Sequence, residues 1–168
     1  MPKHPARWSI ALAAVLLTIG CDHATKRVAA STLEGEPNRS YAGDVLRLGY
    51  TENTGGFLSL GARLPESARA LVFQGGAGLL LLGVTVYGIR RLHAGEPALG
   101  IVLIAAGGWS NWIDRVMRGS VIDFLNVGIG PLRTGVFNVA DVAIMLGAAH
   151  MILQTRHADP AMPSAIDN

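Results

Sequence analysis

The sequence is poor in cysteine, in charged residues and in clustered basic residues, and each shortage excludes a class of protein. Its one cysteine, Cys21, allows no internal disulfide and no zinc site made of thiolates. The five histidines are scattered without the spacing of a metal motif, so we expect no metal and no cofactor. A net charge of +2 without a basic run argues against a nucleic-acid partner.

Hydrophobic residues are abundant instead. They make up 50% of the 168 residues, and the mean hydropathy is +0.36. Only 15% of the residues are charged, compared with about 25% in an ordinary soluble domain. The length suits a single domain. This composition indicates a membrane protein rather than a soluble one.

Four apolar segments could cross a bilayer. Residues 70–89 carry no charge, and a helix of that length spans about 30 Å, the thickness of the hydrocarbon core. Residues 97–113 are also uncharged, and residues 136–155 contain one charged residue. The first segment, residues 8–21, is too short unless its helix continues through Asp22 and Lys26. The sequence therefore predicts an α-helical polytopic protein with four transmembrane helices.

The basic residues predict the orientation of these helices. Under the positive-inside rule both termini lie in the cytoplasm, together with the connection between the second and third segments. The residues that carry this prediction are Lys3, Arg7, Arg90, Arg91 and Arg156. The outer connections are then about 31–67 and 114–135, inserted in a membrane domain of residues 1–155. Alternation in "DVLRLGYTEN" predicts a small β element, and residues 156–168 are expected to form a disordered cytoplasmic tail.

This topology brings polar residues from distant parts of the chain to one membrane face. They are Asp22, Lys26, Asn111, Asp114, Arg115, Asp123, Asn138 and Asp141. Several are three or four residues apart and so share a helix face. Ionisable residues at membrane depth are costly, and they usually mark a functional site or a buried ion pair.

Each group also has a simpler interpretation. Asp22 and Lys26 could be only a structural salt bridge within one helix. Asn138 and Asp141 have the form of a capping box that starts the fourth helix. Asn111 and Arg115 could anchor the third helix at the lipid headgroups. Cys21 is expected to be a small buried apolar residue.

The two carboxylates Asp123 and Asp141 are the strongest candidates for chemistry. Two close carboxylates in a poorly hydrated site cannot easily both ionise, so they share a proton. One can then act as a base toward water while the other acts as an acid. This is the chemistry of aspartic proteases, and it requires no metal.

Five motifs appear in order along most of the chain: "DHATK", "NTGG", "NWIDR", "VIDF" and "FNVAD". Together they resemble the lipoprotein signal peptidases, or signal peptidase II. The resemblance implies four transmembrane helices, a periplasmic β-cradle and a short periplasmic helix in the bacterial inner membrane. It implies a monomeric aspartic endopeptidase that cuts prolipoproteins before a cysteine carrying diacylglyceryl, among membrane lipids.

The resemblance also assigns expected roles to residues. Asp123 and Asp141 would be the catalytic dyad. The residues expected to shape the site or bind substrate are Asn53, Gly55, Asn111, Arg115 and Asn138. Those expected to give structural support are Asp22, Lys26 and Asp114.

The chain departs from the family pattern at three places, and two other functions stay open. Gly56, Phe57 and Leu58 follow "NTG" where the family usually has Ala-x-Phe, Ser110 replaces a glycine, and Thr134 and Gly135 replace Phe-Pro. One alternative is a non-enzymatic carrier subunit that uses Asp141 as a proton site. The other is a secreted lipoprotein cut before Cys21, although further apolar segments follow that residue.

Overall fold

The structure is a computed structural model that describes residues 5–54 and 65–158. The described chain is mostly helical, with one small antiparallel sheet. In chain order, the elements are α1 (Pro5–Leu33), β1 (Arg39–Tyr41), β2 (Leu46–Asn53), α2 (Glu66–Arg69), a π-helical segment (Ala70–Gly76), α3 (Ala77–Ala94), α4 (Leu99–Arg118), β3 (Val121–Ile129), β4 (Leu132–Arg133) and α5 (Val139–Ala158).

Two helices extend beyond the C-terminal ends of the apolar segments that predicted them. Helix α1 continues without a break through Asp22 and Lys26, as a membrane-spanning first helix requires. Helix α5 continues to Ala158, so residues 156–158 are helical rather than part of the expected tail. No proline or glycine interrupts the chain there. Residues 159–168 lie outside the described part of the chain.

Two helices in the described residues are long and apolar enough to cross a membrane. They are α1 and the continuous helix Ala70–Ala94, which joins the π-helical segment to α3. Residues Val139–Thr155 form a shorter apolar helix. The exposed side chains on these helices include Leu16, Leu17, Leu79, Leu80 and Leu146. An aqueous surface would not favour so much exposed apolar area, whereas lipid would.

Helix α4 lies at the centre of the bundle and packs against α1, α3 and α5. Glycines let α4 and α5 approach closely: a Cβ added at Gly147 would lie 2.5 Å from the carbonyl oxygen of Gly100. In the sequence "GGAG" at residues 75–78, a Cβ added at Gly78 would lie 2.9 Å from Nε1 of Trp112. Small residues at helix contacts are typical of membrane bundles, and they explain this stretch as packing.

The sheet has the strand order β1-β2-β3-β4, and every neighbouring pair is antiparallel. Strand β2 confirms the β element predicted at residues 44–53. The interval 114–135, expected to be an outer connection, contains the last turn of α4, which ends at Arg118, followed by β3 and β4. A register shift between Leu48 and Thr51 gives β2 one extra residue against β3.

Two apolar clusters define the two ends of the bundle. Ala29 and Leu33 of α1 pack with Ile122 and Phe124 of β3, which fixes the sheet at the C-terminal end of α1. At the opposite end, Ala11 packs with residues of α3 and α4. The sheet therefore covers one end of the bundle only.

Cys21 is exposed on α1 rather than buried, because that face of the helix points away from the other helices. Helix α2 runs directly into the π-helical segment. Residues 55–64, which include Gly55 and the departure at Gly56–Leu58, lie outside the described residues.

Candidate active site

Five elements converge at the sheet-covered end of the bundle. They are the second half of α1, the end of α4, the start of α5 and the paired ends of β2 and β3. Most of the polar residues predicted to meet at one membrane face lie here, and they are linked by hydrogen bonds. The side chains of Asp22, Lys26, Asp123 and Asn138 are all nearly or fully buried.

Asp123 lies on β3 and is only 3% exposed. Its Oδ2 accepts a hydrogen bond of 2.9 Å from Nδ2 of Asn53, and its Oδ1 accepts one of 2.6 Å from Nδ2 of Asn138. Asn53 pairs with Val121 at the end of β2, so Asn53 and Asp123 are diagonal neighbours on one face of the sheet. The strand pairing thus holds both side chains toward the helices.

Burial raises the pKa of Asp123 to about 6. The hydrogen bond from Asn53 stabilises the charged form and opposes this rise, whereas the nearby charge of Asp141 adds to it. Asp123 therefore lies close to the point where it gains and loses a proton near neutral pH. A group poised in this way suits acid–base chemistry.

Asp141 lies in the first turn of α5 and forms a reciprocal capping box with Asn138. The backbone N–H of Asp141 donates to Oδ1 of Asn138 at 3.0 Å, and Oδ2 of Asp141 accepts from the backbone N–H of Asn138 at 3.2 Å. The simpler interpretation as a helix cap is therefore right in its geometry. The other carboxylate oxygen, Oδ1 of Asp141, is not part of the capping box and accepts a hydrogen bond of 2.9 Å from Nδ2 of Asn111. The capping role therefore does not exclude a chemical role.

Two asparagine side chains link the two carboxylates. Nδ2 of Asn138 donates to Asp123 and, at 3.1 Å, to Oδ1 of Asn111, whose own Nδ2 donates to Asp141. The orientation of the Asn111 amide follows from Lys26, which can only donate and lies 2.9 Å from Oδ1. The amide nitrogen must then face Asp141. The network fixes both carboxylates through neutral donors.

Lys26 holds a buried cluster of charge below the dyad. Its Nζ lies 2.6 Å from Oδ2 of Asp22 and 2.6 Å from Oδ2 of Asp114, and its side chain is 2% exposed. His23 stands 3.7 Å from the other oxygen of Asp114. These contacts join α1 to α4, so the geometry supports the structural role expected for the three charged residues.

Asp22 also reaches the start of α5. Its Oδ1 accepts a 2.9 Å hydrogen bond from the backbone N–H of Ala140, one of the amides that a helix leaves unsatisfied in its first turn. Its Oδ2 accepts a 2.7 Å bond from the hydroxyl of Ser110, which is fully buried. Ser110, which replaces the glycine usual in the family, therefore donates a hydrogen bond to the carboxylate of Asp22. Sequence reasoning missed that role, and its only signal was the position of Ser110 beside Asn111.

Arg115 stands beside the dyad and is half-buried. Its Nη1 donates to the carbonyl oxygen of Asn111 at 3.3 Å, and its guanidinium carbon lies 6.0 Å from the ring centre of Phe73. Gln74, in the π-helical segment, donates to the carbonyl oxygen of Arg115 at 3.1 Å. Sequence reasoning did not single out Phe73 or Gln74, because an apolar helix gave no sign of a π-helical turn there.

The fold has counterparts among solved structures. Two structures of bacterial membrane enzymes match it with TM-scores of 0.72 and 0.70, at 19% and 21% sequence identity. The first match covers 95% of this chain and 95% of that chain, and the second covers 88% and 92%. The chain therefore has the fold of these solved structures, and its exposed apolar helices favour a membrane environment.

Sequence comparison identifies the family. The family model for signal peptidase (SPase) II matches residues 14–156. A lipoprotein signal peptidase of Pelodictyon phaeoclathratiforme is 30% identical over 88% of this chain and 90% of its own length. One from Mycobacterium leprae is 31% identical over 91% of this chain and 73% of its own length. One from Methylorubrum extorquens is 38% identical, but over only 50% of this chain and 48% of its own length. The chain belongs to the signal peptidase II family.

Proposed function

We propose that this protein is a membrane aspartic endopeptidase that removes the signal peptide from diacylglyceryl-modified prolipoproteins. The observation that carries the proposal is the convergence of Asp123 and Asp141 on linked amide donors at the sheet-covered end of the bundle. Membership of the signal peptidase II family supports both the protease activity and the substrate class. Cleavage would occur before the lipid-modified cysteine.

The two carboxylates would share one proton. The ionised member takes a proton from water as that water attacks the peptide carbonyl, and the protonated member supplies a proton to the carbonyl oxygen. When the tetrahedral intermediate collapses, the proton taken from water passes to the leaving nitrogen, and one hydroxyl of the intermediate returns its proton to the other carboxylate, which restores the shared proton. Asn53, Asn111 and Asn138 hold the carboxylates in place, and Arg115 is available to bind substrate and to stabilise developing charge.

The structure also supports a proposed arrangement in the membrane. Helices α1, α3, α4 and α5 would be the four spans of a domain covering residues 1–155, in the bacterial inner membrane and acting as a monomer among lipids. Arg7 and Arg91 lie at the end of the bundle opposite the sheet. The positive-inside rule then puts both termini in the cytoplasm and the sheet and dyad at the periplasmic face.

The central test is cleavage of a defined precursor by the purified protein. We expect a diacylglyceryl-modified prolipoprotein to be cut, while the same precursor with its lipid-accepting cysteine replaced by serine stays intact. Mass spectrometry of the product should show a new N-terminus at the lipidated cysteine. A carrier subunit that uses Asp141 as a proton site would leave both precursors uncut, and that result would overturn the proposal.

The proposed orientation makes a separate prediction. In a Cys21→Ala background, Glu36→Cys should react with a membrane-impermeant thiol reagent in intact spheroplasts. Ala94→Cys should react only after the membrane is opened, because Ala94 is the last residue of α3 and lies in its basic last turn. Both positions are exposed, so accessibility within the fold does not bias the comparison. The reverse labelling pattern would place the dyad in the cytoplasm and contradict the proposed orientation.

Asn53 should tune the pH dependence of cleavage. Its hydrogen bond lowers the pKa of Asp123, so Asn53→Ala should raise that pKa further above its present value of about 6. The dyad would then keep its shared proton to higher pH, so the alkaline limb of the kcat/KM profile should shift to higher pH. Asn126→Ala is a suitable control, because Asn126 lies on β3, the strand that carries Asp123, but hydrogen-bonds to the carbonyl oxygen of Thr134 instead of to the dyad. An unchanged or downward-shifted limb would show that Asn53 does not act on the dyad.

A further inference from the structure

A second feature lies at the end of the bundle away from the dyad. Helices α1 and α3 both pack against α4, and between them is a groove with a cavity of about 220 Å³. Its walls include Trp8 and Val15 of α1, Leu92 of α3 and Ala105 of α4. Leu12 and Ile89 stand on its edges and are 60% and 42% exposed. The groove therefore opens toward the surface that faces lipid.

Hydrocarbon suits this groove better than water does. Thr85 carries the one hydroxyl group among the residues that line the groove, and that hydroxyl already makes two hydrogen bonds within the protein. It donates to the carbonyl oxygen of Leu81 at 2.7 Å and accepts from Nε1 of Trp109 at 2.9 Å. A water molecule needs two or more polar partners, and apolar cavities without them stay dry and take apolar ligands.

The groove continues toward a positively charged mouth. A second cavity of about 280 Å³ shares Ala11, Leu92 and Val102 with the first and extends to Arg7 and Glu96. Glu96 is ion-paired with Arg91 at 2.9 Å, so its charge does not offset that of Arg7. Basic pockets between helices on the cytoplasmic side of a membrane are typical sites for anionic lipid headgroups.

We propose that this groove binds one anionic phospholipid of the cytoplasmic leaflet, with an acyl chain between α1 and α3 and its phosphate at Arg7. The proposal rests on the membrane orientation given under the proposed function. The charge of the mouth argues against the signal peptide as the occupant, because the basic amino end of a signal peptide would be repelled by Arg7. The dyad lies at the other end of the bundle, so this site is separate from the site of cleavage.

Native mass spectrometry of the full-length protein in a neutral detergent tests the proposal. Phosphatidylglycerol and phosphatidylcholine with identical acyl chains are the probes. We expect one phosphatidylglycerol to be retained per chain, with about fivefold weaker retention of phosphatidylcholine, the effect expected of one cation near the headgroup. Arg7→Gln should remove this preference, whereas Arg90→Gln, another exposed arginine at this end, should keep it. Equal retention of the two lipids by the unaltered protein would overturn the proposal.

A second variant tests the acyl-chain part of the site. Leu12→Trp places a larger ring at the edge of the groove and should lower retention of both lipids. Leu17→Trp makes the same change on the same helix at a position that is 65% exposed and outside the groove, so it should have no effect. Identical retention by the two variants would contradict the groove as the binding site. Precursor cleavage measured on the same samples is a separate result: a protein that retains the lipid but does not cut contradicts the peptidase proposal alone.

Discussion

Asp123→Asn and Asp141→Asn should each lower the rate of precursor cleavage by about three orders of magnitude, the scale of positioned acid–base catalysis. Each change removes one carboxylate while keeping the shape of the side chain. The remaining carboxylate could no longer share a proton and activate water with its partner. The double variant should therefore be little worse than either single variant, because residues that act as a unit are strongly non-additive.

The assay needs a measure of folding on the same samples, since Asp141 also caps α5. Asparagine at position 141 can still accept the capping hydrogen bond, so we expect both variants to keep a cooperative unfolding transition. Asp44→Asn makes the same chemical change in the turn between β1 and β2, where Asp44 pairs with Arg47, and should leave cleavage nearly unchanged. Substantial turnover by either dyad variant in folded protein would exclude the aspartic mechanism.

Lys26→Met should produce the largest loss of stability. The variant leaves the buried carboxylates of Asp22 and Asp114 without the ammonium group that lies 2.6 Å from each. Removing one partner of a buried ion pair costs about 3–5 kcal/mol in the free energy of unfolding. Cleavage should also fall, because Oδ1 of Asn111 would lose one of the two donors that keep its amide nitrogen facing Asp141. Denaturant unfolding in detergent micelles measures the first effect.

A second change can separate lost charge balance from lost packing. Adding Asp114→Asn to Lys26→Met removes one of the two stranded charges, so the double variant should be more stable than Lys26→Met alone. Arg47→Met is the exposed counterpart, since the side chains of Arg47 and Asp44 are 40% and 41% exposed, and its effect should be small. If the double variant were the less stable one, the buried cluster would not be held by charge.

The helices, and the placement of most residues of the candidate site at one end of the bundle, could be predicted from short-range patterns. The apolar run at residues 8–21 is too short to span a membrane, which required α1 to continue through Asp22 and Lys26, and the helix continues to Leu33. The sequence "NVAD" supported two interpretations, a cap and a site, and the geometry contains the hydrogen bonds of the first and the neighbours of the second. The catalytic roles themselves stay predictions, since geometry alone does not measure activity.

Other features depend on contacts between distant parts of the chain. Strand β3 was not predicted, because its buried and exposed residues do not alternate: Val121 to Phe124 are all buried. Ile122 and Phe124 pack against α1, while Asp123 on the opposite face contacts Asn138 next to α5. The register of Asn53 against Val121 depends on the bulge in β2, which no local signal marks. Cys21 was placed in the interior by analogy with soluble cores, but in lipid the outward face of a helix is apolar as well.

The bond between Asp22 and the amide of Ala140 joins α1 to α5 across 118 residues. During synthesis the ribosome makes α1 early, and α5 cannot contact it until the residues of α5 have left the exit tunnel. Asp141 reaches its place only when that contact forms, because it follows Ala140 directly. The dyad is therefore expected to stay incomplete during insertion, and the proposed proteolytic chemistry would begin only once α5 has docked.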